Sequence, residues 1–281
     1  MNLPSGISIT LTALLCLFVS ACNTEPDLRQ KKVSYSTDSD STLYYYQLGW
    51  TQIMDRGQYS EAEVSYRKAL EFDPDFLVGK SVLARLTTDL DERLMLYDKL
   101  INNRSRIDGD ERLILDVYTA LTHFTNLRDL DAENHPAVLD STLQLAEKNF
   151  REIVHKYPSE IYLKAEYIEI LNSNHGASAA LDSLSVLADE NQKENVFLLG
   201  HAASMHAELQ EYQAAFEKAE RLKQIMDGLN YPKTDAVYAD LYFKKGDYET
   251  AHKHAARAHE LDPGNIDVQR ILERLERVNK Q

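Results

Sequence analysis

Along most of this chain the apolar residues return every third or fourth position and strand-like alternation is weak, which argues for helices throughout. The last stripe is the plainest. Val268, Ile271, Leu272, Leu275 and Val278 share one helix face, the other face is charged, and Asn265 stands at the expected N-cap. Upstream the pattern divides into helix pairs. The first is expected at Thr42–Asp55 and Tyr59–Phe72, and the second at Asp75–Thr87 and Asp91–Ile101. The third begins near Asp110, is interrupted by the polar stretch Asn126–His135, and resumes in a long helix, Pro136–Tyr157. The fourth, Glu160–Leu171 and Ala177–Asp189, has an extended turn at Asn172–Gly176, and Tyr212, Ala215 and Leu222 mark the fifth.

Gly57, Tyr59, Ala62, Ala69 and Pro74 recur at the same spacing as Gly246, Tyr248, Ala251, Ala258 and Pro263. This pattern resembles the tetratricopeptide repeat, a helix–turn–helix unit of about 34 residues. The glycine ends the first helix, the alanines admit close helix contact, and the proline stops the second helix. The two glycines lie 189 residues apart, which is about five such periods with surplus length in the middle. The resemblance implies an all-α fold: a right-handed α-solenoid of about six helix pairs over residues 42–264, with a capping helix at 265–281. It also implies a scaffold that binds a protein or peptide partner in its concave groove.

The first residues are of another kind. Ile7–Val19 is a largely apolar run of 13 residues, the length of a secretory h-region and short of the ~20 needed to span a bilayer. Val19-Ser20-Ala21-Cys22 follows it and resembles a bacterial lipobox, although no Lys or Arg precedes the run. The resemblance implies a signal peptide at 1–21, acylation of Cys22, and a lipid-anchored protein of the bacterial envelope. Asn23 after the cysteine, where an Asp would favour inner-membrane retention, tilts the expectation to the outer membrane. Residues 22–41 read as a lipidated cysteine and a flexible polar tether. The chain has two cysteines, Cys16 and Cys22. Cleavage and acylation leave no thiol for a disulfide, a nucleophile or a Cys-ligated zinc.

The net charge of −14 falls entirely after residue 21, which makes nucleic acid a poor partner. Nine histidines invite a metal reading, yet the helical His252/His254 and His201/His206 pairs miss the i, i+4 spacing that one helix needs to ligate a metal. Asp108-Gly109-Asp110-Glu111 lacks the ligand alternation of a calcium loop and reads as an acidic first turn. Phosphate-binding, dinucleotide and nucleophile-elbow motifs are absent. No catalytic residue, metal or cofactor is assigned, and the chain reads as a non-enzyme. The alternatives are a hydrolase or metal-dependent enzyme with its site in the groove, and a self-assembling homo-oligomer.

First helices line the inner groove in this family. That places Tyr44, Gln47, Thr51 and Met54 on it in the first repeat, and Lys233, Asp240, Phe243 and Lys244 in the last. Tyr46, Trp50 and Ile53 then belong to the core. Chaperone-tail-binding members clamp a carboxylate with Lys and Asn, where this chain has Gln47 and Thr51. The clamp is missing.

Acyl chains on Cys22 would supply the membrane affinity. Cys22→Ala is therefore expected to abolish labelling by radioactive palmitate and to release or misprocess the protein. Unlabelled, freely soluble wild type would overturn the lipobox reading.

Overall fold

The computed structural model describes residues 31–280. The signal run and Cys22 lie outside them. Fourteen α-helices, and no strand among the described residues, build an all-α solenoid of the tetratricopeptide kind. Helix α1 (Asp40–Thr51), continued by a π-helical turn (Gln52–Arg56), pairs with α2 (Tyr59–Phe72). Then follow α3 (Leu77–Leu86) with α4 (Leu90–Asn103), α5 (Gly109–Asp129) with α6 (His135–Lys156), and α7 (Ile161–His175) with α8 (Ala177–Leu187). After the single turn α9 (Glu190–Lys193) come α10 (Val196–Glu208) with α11 (Tyr212–Ile225), α12 (Lys233–Lys245) with α13 (Tyr248–Leu261), and the capping helix α14 (Ile266–Asn279).

Local chemistry accounts for the boundaries. Ser39, Asp89, Asn195, Asp247 and Asn265 each accept a hydrogen bond from the first turn of the helix they precede, satisfying donors that the helix itself leaves free. Gly57 and Gly246 close the first members of their pairs with φ of 72° and 86°, the left-handed region that favours glycine. Ala62, Ala69, Ala251 and Ala258 are fully buried, so the small motif residues do let helices touch. Tyr46, Tyr66, Phe76, Tyr118 and Phe150 fill the core of the first half with edge-on and tilted ring contacts.

Three expectations change. The interruption expected at Asn126–His135 shrinks to residues 130–134: α5 runs on to Asp129, α6 starts at His135, and the surplus length is taken up by these two long helices of 21 and 22 residues. The extended turn at Asn172–Gly176 contracts because α7 continues to His175 and Gly176 alone joins it to α8. Polar composition hid both, since exposed helix ends are as polar as loops. The third change concerns the segment read as tether up to residue 41. Its last part runs extended against the solenoid. Val33 is buried and donates its N–H to Glu160 at 3.0 Å, and the Ser36 N–H donates to Glu111 at 2.7 Å. Tyr35 packs edge-on against Tyr46 and Phe76.

The solenoid also curls until its ends meet. The Asp262 carboxylate accepts from the Tyr59 and Ser60 N–H groups at 2.5 and 3.2 Å, capping α2 from the far end of the chain. Asn265 donates to the Gly57 carbonyl at 2.8 Å, and the Tyr59 hydroxyl donates to Asp267 at 2.5 Å. A Cβ on Gly57 would lie 3.1 Å from the Lys233 backbone nitrogen, so only glycine lets the ends close this tightly.

Asp262→Ala removes a charged cap, a change that typically costs about 1–2 kcal/mol. The variant is expected to melt earlier and to show a larger radius of gyration by small-angle scattering. An unchanged radius would mean that Asp262 does not hold the ends together.

Candidate functional site

Because the ends meet, the first helices of all six pairs and the capping helix surround one cavity of about 590 Å³. This is the size of a ligand pocket rather than of a groove for a folded partner. Trp50, Ile53 and Met54 come from the first pair, Val82 and Leu86 from α3, Leu121 and Phe124 from α5, Phe197 from α10, and Ile266 and Ile271 from α14. Charged side chains break this apolar wall. Arg85, Arg128, Lys233, Arg270 and Arg274 stand against Glu166, Glu169, Asp240 and Asp267. The lining is thus slightly cationic within a chain of net charge −14.

Most of these charges are paired. Arg85 holds Glu166 with two guanidinium nitrogens at 3.0 and 3.4 Å and lies 4.7 Å over the Tyr118 ring. Burial pushes the Glu166 carboxyl above its ordinary value, against the pull of Arg85. His201 meets Glu169 at 2.9 Å, Arg128 meets Asp129 at 2.8 Å, and Asp240 accepts from Ser204 and Lys244 at 2.8 and 2.7 Å. Arg274 lies 4.1 Å over the Phe243 ring.

Lys233 differs. It is 9% exposed, and its Nζ, 4.1 Å above the Phe197 ring, has no hydrogen-bond acceptor or ion pair among the described residues. Burial pushes its pKa down to about 8, with Asp267, Asp55 and Glu169 pulling the other way.

Of the residues expected on the groove, Met54, Lys233 and Asp240 line the cavity. Phe243 and Lys244 stand behind it, under Arg274 and against Asp240. Thr51 is turned to the Tyr162 hydroxyl at 3.2 Å. Tyr44 and Gln47 are exposed. Trp50 is buried, as a core residue should be, yet it and Ile53 also face the cavity.

The sequence reading missed Arg85, Glu166, His201 and the α14 arginines. A signal existed for two of them. Arg85 and Glu166 sit in α3 and α7, which are buried around most of their circumference, and a charge in such a helix needs a buried partner. Among the described residues, no group of three or more His, Cys, Asp or Glu has metal-holding geometry.

A second surface lies outside the cavity. On α2, Val64 and Phe72 are 58% and 53% exposed on one helix face, with Lys68 between them. Tyr45 stacks on Phe72 at 5.7 Å, Tyr44 packs edge-on against Tyr45, and Lys68 lies 5.3 Å over the Tyr45 ring. With Tyr44 62% exposed, these side chains form an apolar ledge that the solenoid does not cover.

A tetratricopeptide repeat family model matches residues 43–76, the first helix pair and the link to the second. No curated protein matches the chain.

Lys233 generates a prediction about stability. Its proton is held less tightly in the fold, near pH 8, than at the unfolded value of 10.5. The unfolded chain therefore binds more protons between these values, so stability rises with pH across that window. Lys233→Met removes the penalty and is expected to stabilise the fold at pH 7 by on the order of 1–3 kcal/mol. The gain should shrink to nothing by about pH 10.5, read as the difference in melting temperature between variant and wild type.

Proposed function

We propose that this protein is a lipid-anchored scaffold of the bacterial envelope, an adaptor or assembly factor that holds a protein partner on its solenoid. Repeats of the tetratricopeptide type generally mediate protein–protein contact, and the all-helical fold is typical of non-enzymatic scaffolds. The observation that carries the reading is the aromatic ledge of Tyr44, Tyr45 and Phe72, which lies within the matched repeat. Exposed clusters of aromatic side chains rimmed by charge are the usual anchors of protein interfaces. Gln47 extends the same exposed side of α1.

The concave face contributes differently from an open groove. Its half-open cavity of about 590 Å³ is small for a folded partner, which leaves the ledge as the protein-binding surface. Lipidation at Cys22 would hold the scaffold at the outer membrane by its N-terminal end.

A photo-crosslinking amino acid in place of Tyr44 or Phe72, introduced in cells of the source organism, tests the reading. Discrete protein adducts are expected from these positions and not from Val186, which is 83% exposed on α8. Identical adducts from all three positions, or none from the ledge, would refute it.

A further inference from the structure

Among the described residues, buried cations follow a rule with one exception. The Lys164 ammonium, on a fully buried side chain, donates to the carbonyls of Pro158 and Leu187 at 3.0 and 2.6 Å and to the Gln192 side chain. Arg93, also buried, donates to Asn126 at 2.8 Å, to the Thr87 carbonyl at 3.3 Å and to Asp129. Arg85 has Glu166. Lys233 has an aromatic face and nothing else within bonding distance among the described residues. The groups packed about it come from five elements: Asp55 from the π-helical turn, Glu169 from α7, His201 from α10, Asp240 from α12 itself, and Asp267 with Arg270 from α14. Each of these has a partner of its own. Asp55 accepts from Tyr162 and Asn195, Glu169 meets His201, Asp240 meets Lys244, and Asp267 accepts from Tyr59 and meets Arg270.

The Lys233 side chain is largely buried while its Nζ opens onto the cavity without a protein partner, and an ammonium so placed is where a ligand can supply the missing partner. Three features define that ligand. The Lys233 ammonium has no acceptor within bonding distance among the described residues, so an anionic head is the partner it lacks. A point charge on a flexible stem, with the Arg270 guanidinium meeting Asp267 and that of Arg274 lying over the Phe243 ring, suits a carboxylate better than a doubly charged phosphate. Trp50, Met54, Val82, Phe197 and Val237 call for an apolar body.

We propose that the central cavity binds a small amphipathic monocarboxylate, with its head on the Lys233 ammonium and its apolar body against this wall. The site is separate from the aromatic ledge, so it stands or falls independently of the partner proposed there. Closure of the ring builds one side of it: the Gly57 turn meets the backbone at Lys233, and Asn265 ties that turn to the head of α14.

Trp50 is the only tryptophan of the chain and lines the cavity, so it reports occupancy directly. The full-length protein is titrated with hexanoate and, separately, with hexanamide, which keeps the apolar body and lacks the charge. A saturable change in Trp50 fluorescence with hexanoate is expected, at an affinity at least about tenfold above that of hexanamide. Hexanoate affinity should be level from pH 6 to about 8 and then fall by about tenfold per unit as the Lys233 ammonium is lost.

Lys233→Met should bind acid and amide equally while keeping its helical circular dichroism. Lys233→Arg, which stays charged, should keep the preference for the acid and flatten the pH profile. Equal binding of acid and amide by the wild type, no fluorescence response, or full hexanoate affinity in Lys233→Met would each overturn the proposal. So would tighter binding of the free-acid peptide Gly-Gly-Leu-Leu than of hexanoate, because the carboxylate would then belong to a chain terminus.

Discussion

The N–H groups of Tyr59 and Ser60 open α2 and have no acceptor within that helix. Their acceptor is the carboxylate of Asp262, more than two hundred residues further along the chain. A helix cap is ordinarily local, and here it joins the first repeat to the last. Asp73 holds the equivalent place in the first repeat and serves only its own turn, accepting from the Asp75 N–H. The same residue type at the same repeat position therefore does a local task at one end and a global one at the other. Without that cap and the Asn265–Gly57 bond beside it, the concave side would be an open groove and Lys233 would lose the turn that covers it.

Closure changes the electrostatics of everything it surrounds. In an open groove the charges of first helices are solvated, and exposed ion pairs contribute little. Drawn around a cavity of about 590 Å³, the same side chains need partners, and nearly all of them have one. Arg85 and Glu166 form a two-nitrogen pair, and His201 holds Glu169. Lys233, the most buried of the cations around it, is left to an aromatic face, and its pKa falls. The other buried cations, Arg93 and Lys164, are each held by three acceptors, so the lack of one at Lys233 is informative.

The segment at residues 31–39 shows how little composition says about docking. Ser, Thr, Asp and Lys dominate it, as in a solvated linker, yet two apolar side chains suffice to hold it. Val33 enters the core, Tyr35 meets Tyr46 and Phe76, and two carboxylates accept its backbone N–H groups. Those carboxylates, Glu111 and Glu160, belong to the third and fourth helix pairs. Nothing within the segment itself reveals them.

The amino-acid sequence by itself determined the helices, their pairing and the repeat. Periodicity, caps such as Asn265, and the turn glycines act within a few residues, where spacing along the chain and distance in space are nearly the same. It also marked Met54, Lys233 and Asp240 as inward-facing, because a repeat motif sets which side of a first helix looks to the axis. It did not determine how far the solenoid curls. That depends on small rotations summed over six pairs, on the long α5 whose polar end composition disguised, and on the meeting of Asp262 with Tyr59. Whether Lys233 is solvated or buried, and whether Tyr44 faces a groove or an outer ledge, was decided only in three dimensions. Both depend on what the far end of the chain covers, and contacts across two hundred residues leave no local trace.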